Sequence, residues 1–147
     1  MTSFVDTNIL VYAEDRDEKE KHPIARDLVV DLWRSREGAV SVQVLQEFFV
    51  NVTRKVKHPV SATKTLEIVR EYLTWRVVDN TSDLLVAAVE LHQKAKLSFW
   101  DAMVVQAAIT AGCERLYSED LNDGQRFGAV QVVNPFARLK PKPRRSA

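Results

Sequence analysis

A chain of 147 residues, 46% hydrophobic and 28% charged, has the size and make-up of one globular domain with a single core. Its one cysteine, Cys113, excludes an intramolecular disulfide, a thiolate zinc cage and a CxxC redox pair, and points to a reducing cytoplasm. The net charge of +1 conceals an imbalance: Arg138, Lys140, Lys142, Arg144 and Arg145 crowd residues 138–147, so that only 16 of the 21 basic residues remain to face 20 acidic ones elsewhere.

The start of the chain has no basic segment ahead of Asp6, so no targeting peptide is expected. No apolar run approaches the roughly eighteen residues that a membrane helix needs. Residues 2–6 read as a short strand ending in a turn, and 8–13 as the first turns of a helix. The charged stretch 15–22 reads as an exposed loop. Pro23 opens a helix, because proline is tolerated at the first helical position. Ile24, Leu28, Val29, Leu32 and Trp33 follow its spacing, and Gly38 closes it. Residues 39–42 read as a second strand and 44–56 as a helix with Leu45, Phe48, Phe49, Val52 and Val56 on one stripe, broken by His58-Pro59. Ser61 caps a helix running to about Trp75, and 76–79 is a short strand. Thr81 or Ser82 caps a helix through Lys96; Ser98 caps another from Phe99 to about Ala111, closed by Gly112. Residues 114–117 and 130–133 read as the last strands. Strands alternating with helices predict an α/β domain, its parallel sheet covered on both faces. Such sheets hold ligands in the crevice beyond the carboxyl ends of their strands.

Four acids stand next to apolar stretches: Asp6, Glu47, Asp101 and Asp120. Asp6 and Asp120 fall just past predicted strands, on the crevice edge. Asp101 lies in a largely apolar helix, on the side opposite Gln106 and Thr110, where an unpaired carboxylate is costly. Ser98 to Asp101 also has the spacing of a capping box. Glu47 lies off the centre of its apolar stripe, as a solvated glutamate would too. Asp123 is a possible fifth acid, and the Ser118 hydroxyl could hold a water or a carboxylate. Oxygen-only clusters suit hard divalent cations such as Mg²⁺ or Mn²⁺, and these suggest chemistry on phosphates. No histidine dyad for metal-free RNA cleavage is evident, since His22, His58 and His92 lie in charged or helical surroundings. Arg34, Arg36, Arg54, Lys55, Lys57 and His58 are candidate contacts to a nucleic-acid backbone. Trp100 could stack on a base, although a core or interface role is the commoner one for tryptophan. A receiver domain would need paired acids after the first strand, and a haloacid-dehalogenase-like phosphatase Asp-x-Asp. One acid stands here and position 8 is Asn, which disfavours both.

Phe4-Val-Asp-Thr-Asn-Ile-Leu10, Glu47 within Val44-Leu-Gln-Glu-Phe48, Leu97-Ser-Phe-Trp-Asp-Ala102, Leu116-Tyr-Ser-Glu-Asp-Leu121 and Val132-Val-Asn-Pro-Phe136 together resemble a PIN domain, in particular the small nucleases of the VapC toxin type. The resemblance spans residues 2–136. It implies a three-layer α/β/α sandwich around a central parallel sheet. Pro135 and the run of bases set the nuclease domain at residues 1–137 and leave 138–147 as a basic, disordered tail or a nonspecific nucleic-acid arm. It implies an Mg²⁺- or Mn²⁺-dependent ribonuclease whose metal site is Asp6, Glu47, Asp101 and Asp120, with Asn8 and Ser118 in support and Asp123 less securely placed. It further implies a small antitoxin partner, a homodimer and no membrane association. The rival reading is the same fold binding RNA or protein without cleavage.

Overall fold

The structure, a computed structural model, describes residues 1–139. The basic tail expected from the sequence, apart from Arg138 and Leu139, lies outside the described residues. Six strands form one sheet: β1 (Ser3–Val5), β2 (Gly38–Ser41), β3 (Arg76–Val78), β4 (Arg115–Tyr117), β5 (Arg126–Phe127) and β6 (Val130–Val133), in the order β3-β2-β1-β4-β6-β5. All neighbours are parallel except β5, which pairs antiparallel with β6. The sequence reading missed β5, because two residues after a glycine leave no alternating pattern to detect.

β1 is central, with Phe4 opposite Ala39 on one side and Leu116 on the other. Phe4, Val5, Ala39, Val40, Leu116 and Val132 are fully buried. That is why these strands read as apolar runs rather than as alternating patterns: parallel strands are covered on both faces. The covering helices are α1 (Thr7–Glu14), α2 (Lys21–Ser35), α3 (Val42–Val50), α4 (Ala62–Tyr72), α5 (Ser82–Ala95) and α6 (Phe99–Thr110). α1 packs on α2 and α3, and α3 on α4, while α5 and α6 pack on each other; members of both groups reach β2. Among the described residues, no helix is long and apolar enough to cross a membrane.

Three boundaries differ from the sequence reading. α2 begins at Lys21, so Pro23 is its third residue, still within the first turn whose N–H groups have no partner inside the helix. The helix expected over 44–56 is α3 followed by a wider π turn at Asn51–Lys55. There the Asn51 N–H meets the carbonyls of both Glu47 and Phe48, and the Asn51 side chain donates to the Glu47 carbonyl at 2.8 Å. Finally, α2 is ended by Arg36 in the left-handed conformation (φ 60°), not by Gly38.

Gly38 has a different duty. A Cβ there would lie 2.5 Å from Cε3 of Trp75, whose ring is wedged against Trp33 and Tyr72. Gly38→Ala is therefore expected to destabilise the fold by about 1–3 kcal/mol, the usual cost of overpacking. Urea denaturation checks this, and an unchanged midpoint would show that Trp75 yields freely.

Candidate active site

β1 lies between β2 and β4, so the chain leaves the centre of the sheet in both directions. The crevice of such a sheet opens where the strand order reverses, beyond the carboxyl ends of the adjacent strands. Asp6 follows β1, and Ser118 and Asp120 follow β4. The Asp6 N–H donates to the Tyr117 carbonyl at 3.0 Å, so the two strand ends are stitched together.

Asp6 is only 6% exposed. It is the N-cap of α1: one oxygen accepts the Thr7 N–H at 2.7 Å and the other the Ser118 hydroxyl at 2.8 Å. Burial pushes its carboxyl up to about 7 against those two hydrogen bonds, and the charges of Asp120 and Glu47 push the same way. Asp120 is more open. It accepts the Asn8 side-chain amide at 3.3 Å, and its N–H donates to the Ser118 hydroxyl at 3.2 Å. Its carboxyl is raised by burial first, then by Glu119, Asp101 and Glu47, with Lys21 opposing. Each of the four acids thus feels, or is felt by, another of the set.

Glu47 is not the free surface glutamate that its sequence pattern allowed. Thr7 donates its hydroxyl to one oxygen at 2.8 Å, and Gln43 its amide to the other at 3.0 Å. Both donors are buried. Neither Thr7 nor Gln43 was singled out from sequence, though Gln43 stands one helical turn before Glu47, where side chains meet.

Asp101 is less deeply buried than its apolar helix predicts. It lies in the first turn of α6 and is partly buried, not on the fully covered side of the helix. Ser98 caps the helix through the Asp101 N–H at 3.1 Å. Among the described residues the Asp101 carboxylate makes no return bond to the cap, so it is left for other use. Asp123 accepts the Asn134 N–H at 2.8 Å and ties the β4–β5 loop to the end of β6.

The three imidazoles are engaged elsewhere: His22 with the Tyr12 carbonyl, His58 with Asp17 and His92 with the Leu97 carbonyl. Arg34 and Arg36 stand where α2 runs into β2, at the amino ends of the strands. They are therefore at the edge opposite Asp6 and do not flank the acids. Arg54, Lys55 and Lys57 are exposed on and after the π turn. Trp100 is 63% exposed, which removes the core reading for it.

Among the described residues, no group of three or more His, Cys, Asp or Glu side chains is gathered closely enough to hold a metal ion by itself. The donor set still fits a hard cation. Mg²⁺ keeps several of its waters and takes one or two carboxylates together with substrate phosphate, rather than an all-protein cage. A buried carboxyl near pH 7 surrounded by other acids is also the electrostatic conflict that a bound cation resolves.

The PIN domain family matches residues 3–126. Among solved structures, the chain is similar to VapC20 of Mycobacterium tuberculosis, described as a sarcin-ricin loop cleaving toxin, with 25% identity over 80% of this chain and 88% of that one and a TM-score of 0.60. It is also similar to a chain of a toxin–antitoxin complex from Klebsiella pneumoniae, with 21% identity over 91% of this chain and 98% of that one and a TM-score of 0.65. A comparison with curated proteins finds no match.

Proposed function

The chain belongs to the PIN domain family, and from that premise we propose that it is a divalent-metal-dependent endoribonuclease, the toxin of a toxin–antitoxin pair. One observation carries the reading: Asp6, buried with its carboxyl near pH 7, feels Asp120 and Glu47 in the crevice between β1 and β4. That electrostatic strain has a use at a site that takes up a cation before it meets a polyanion.

Asp6, Glu47, Asp101 and Asp120 would hold Mg²⁺ or Mn²⁺. Such an ion would supply charge neutralisation for the phosphate and would ease the deprotonation of water near neutral pH. The remaining work falls to the chain's own groups. The Ser118 hydroxyl and the Thr7 N–H fix the two oxygens of Asp6, Thr7 and Gln43 fix those of Glu47, and Asn8 steadies Asp120. Asp123, one of whose oxygens accepts the Asn134 backbone N–H, would be a fifth and less securely placed acid for the ion. Hydrolysis adds water across the phosphodiester and leaves a 5′-phosphate and a 3′-hydroxyl. Arg54, Lys55, Lys57 and the basic tail would draw the RNA backbone toward an otherwise repellent site, and Trp100, beside Asp101, offers a face for a base.

Partners fit the open apolar surfaces. A groove of about 460 Å³ between α3 and α4 is lined by Leu45, Phe49, Val50, Leu66, Val69 and Leu73. Leu85, Val86 and Val89 on α5 are exposed as well. Contiguous exposed apolar residues mark surfaces that meet other chains. A small antitoxin and a second copy of this chain are the occupants this reading assigns, in the cytoplasm.

Incubation with mixed RNA tests the reading. Cleavage is expected with Mn²⁺, is expected to vanish in EDTA, and is expected to vanish in Asp101→Asn even with metal. RNA that is bound but never cut would favour the non-catalytic rival, and cutting that survives EDTA would end the metal assignment.

A further inference from the structure

Glu119, between Ser118 and Asp120, is an acid that the proposed chemistry does not use. Both its oxygens are taken. Oε1 accepts the Tyr12 hydroxyl at 2.5 Å, and Oε2 accepts the Lys21 ammonium at 2.8 Å. Lys21 stands 4.9 Å from the centre of the Tyr12 ring and 5.4 Å from that of Phe136, and the two rings meet edge-on at 5.4 Å. The ion pair is sheltered, with the Lys21 and Glu119 side chains 27% and 16% exposed. An open surface pair contributes little. This one is backed by two aromatic rings and a second hydrogen bond, so its geometry is restrained from several sides. It fastens four parts of the chain at one point: α1, the first residue of α2, the loop after β4, and the segment after β6.

The flanking residues are those that matter to the acidic site. Ser118 donates to Asp6 and accepts from the Asp120 N–H, so the backbone at 118–120 sets how two carboxylates are presented. We propose that Lys21 and Tyr12 are positioning residues for the acidic site: by holding both oxygens of Glu119 they fix the 118–120 loop, so that Asp120 and the Ser118-bound Asp6 face a divalent ion in one preset arrangement. The proposal rests on the metal-dependent reading above. Lys21 and Tyr12 touch neither substrate nor ion. They spare the loop an ordering cost at each binding event, as groups behind metal ligands do.

The test measures Mn²⁺ binding to the full-length protein by the electron paramagnetic resonance of free Mn²⁺, alongside RNA cleavage by the same preparations. Lys21→Met keeps the stem over the rings and removes the charge. Tyr12→Phe keeps the ring and removes the hydroxyl. Lys21→Arg restores a donor to Glu119. Lys21→Met is expected to weaken Mn²⁺ binding about tenfold, in line with the loss of groups that orient ligands. Tyr12→Phe should weaken it less, and Lys21→Arg should recover most of it. At limiting Mn²⁺ the deficit should fall on kcat, with KM for RNA unchanged, and excess Mn²⁺ should restore the rate. Lys21→Met binding Mn²⁺ as tightly as the parent would overturn the proposal, and so would a deficit confined to KM, which would place Lys21 on the RNA. If Lys21→Met fails to fold, Tyr12→Phe decides by the same criteria. A parent protein that binds no Mn²⁺ would remove the nuclease reading itself, a result distinct from a parent that binds and a variant that is unaffected.

Discussion

Asp6→Asn is expected to reduce RNA cleavage on the order of 10³-fold, the scale at which one well-placed electrostatic group contributes to catalysis, while making the metal-free protein more stable at pH 8. The two effects share one cause. In the folded chain the Asp6 carboxyl is raised from 3.8 to about 7, chiefly by burial. The folded state therefore binds this proton more tightly than the unfolded state does. The resulting contribution to stability is complete below about pH 4, declines as pH rises toward 7, and is gone above it. Asparagine never ionises and escapes that loss. It also keeps the local bonds, because its oxygen can accept the Thr7 N–H while the Ser118 hydroxyl turns from donor to acceptor. Holding the proton across each pH step is worth about 1.4 kcal/mol, so the gain above pH 7 is on the order of a few kcal/mol. Urea denaturation in EDTA at pH 5 and pH 8 measures it, with the variant's advantage smaller at pH 5, where little more than one of the roughly three pH steps between 3.8 and 7 has been crossed. A variant less stable than its parent at pH 8 would refute the burial penalty, and a variant that cuts at the parent rate would refute the site.

Phe4→Ala is the substitution expected to damage stability most, by about 3–5 kcal/mol, the range for removing a buried phenylalanine. Its ring is fully buried on the central strand, opposite Ala39 and Leu116. Neighbours in parallel register cannot move in to fill the space without disturbing both ladders. Domains of this size are usually stable by about 5–15 kcal/mol, so the loss is a large fraction of the total. The denaturation midpoint should drop sharply. Cleavage in the cold should fall in proportion to the folded fraction seen by circular dichroism, because β1 carries Asp6 into the crevice. A midpoint within error of the parent's would mean that the centre of the sheet repacks around the missing ring.

The strand–helix alternation was legible because covered parallel strands are plainly apolar, and because Ser61, Thr81 and Ser98 are side-chain caps in the structure as their sequence context suggests. Asp6 and Asp120 stand out in the sequence for a related reason: a carboxylate just past a buried strand is conspicuous. The supports were not. Thr7 next to Asp6 reads as an ordinary turn residue, and nothing local says that its hydroxyl reaches a glutamate forty positions later. Lys21 and Glu119 are separated by 98 positions and read as solvated charges until the fold brings them together. The partial exposure of Asp101 is not legible in the sequence because α6 is apolar nearly all round. Such a helix gives no directional signal, and its first turn projects past the covered region. The π turn escaped detection because it depends on one asparagine bonding back to a carbonyl.

The two rims of the sheet have a further consequence. β3 is three residues long and carries Arg76, whose guanidinium donates to the Ala111 carbonyl at 2.7 Å. At the other rim, the two-residue β5, reversed at Gly128 (φ 59°), lies over β6 and presents Arg126. Truncated, cation-bearing borders are poor templates for strand addition. Concentrated solutions of this chain should therefore resist cross-β aggregation, leaving side-chain surfaces as its route to self-association.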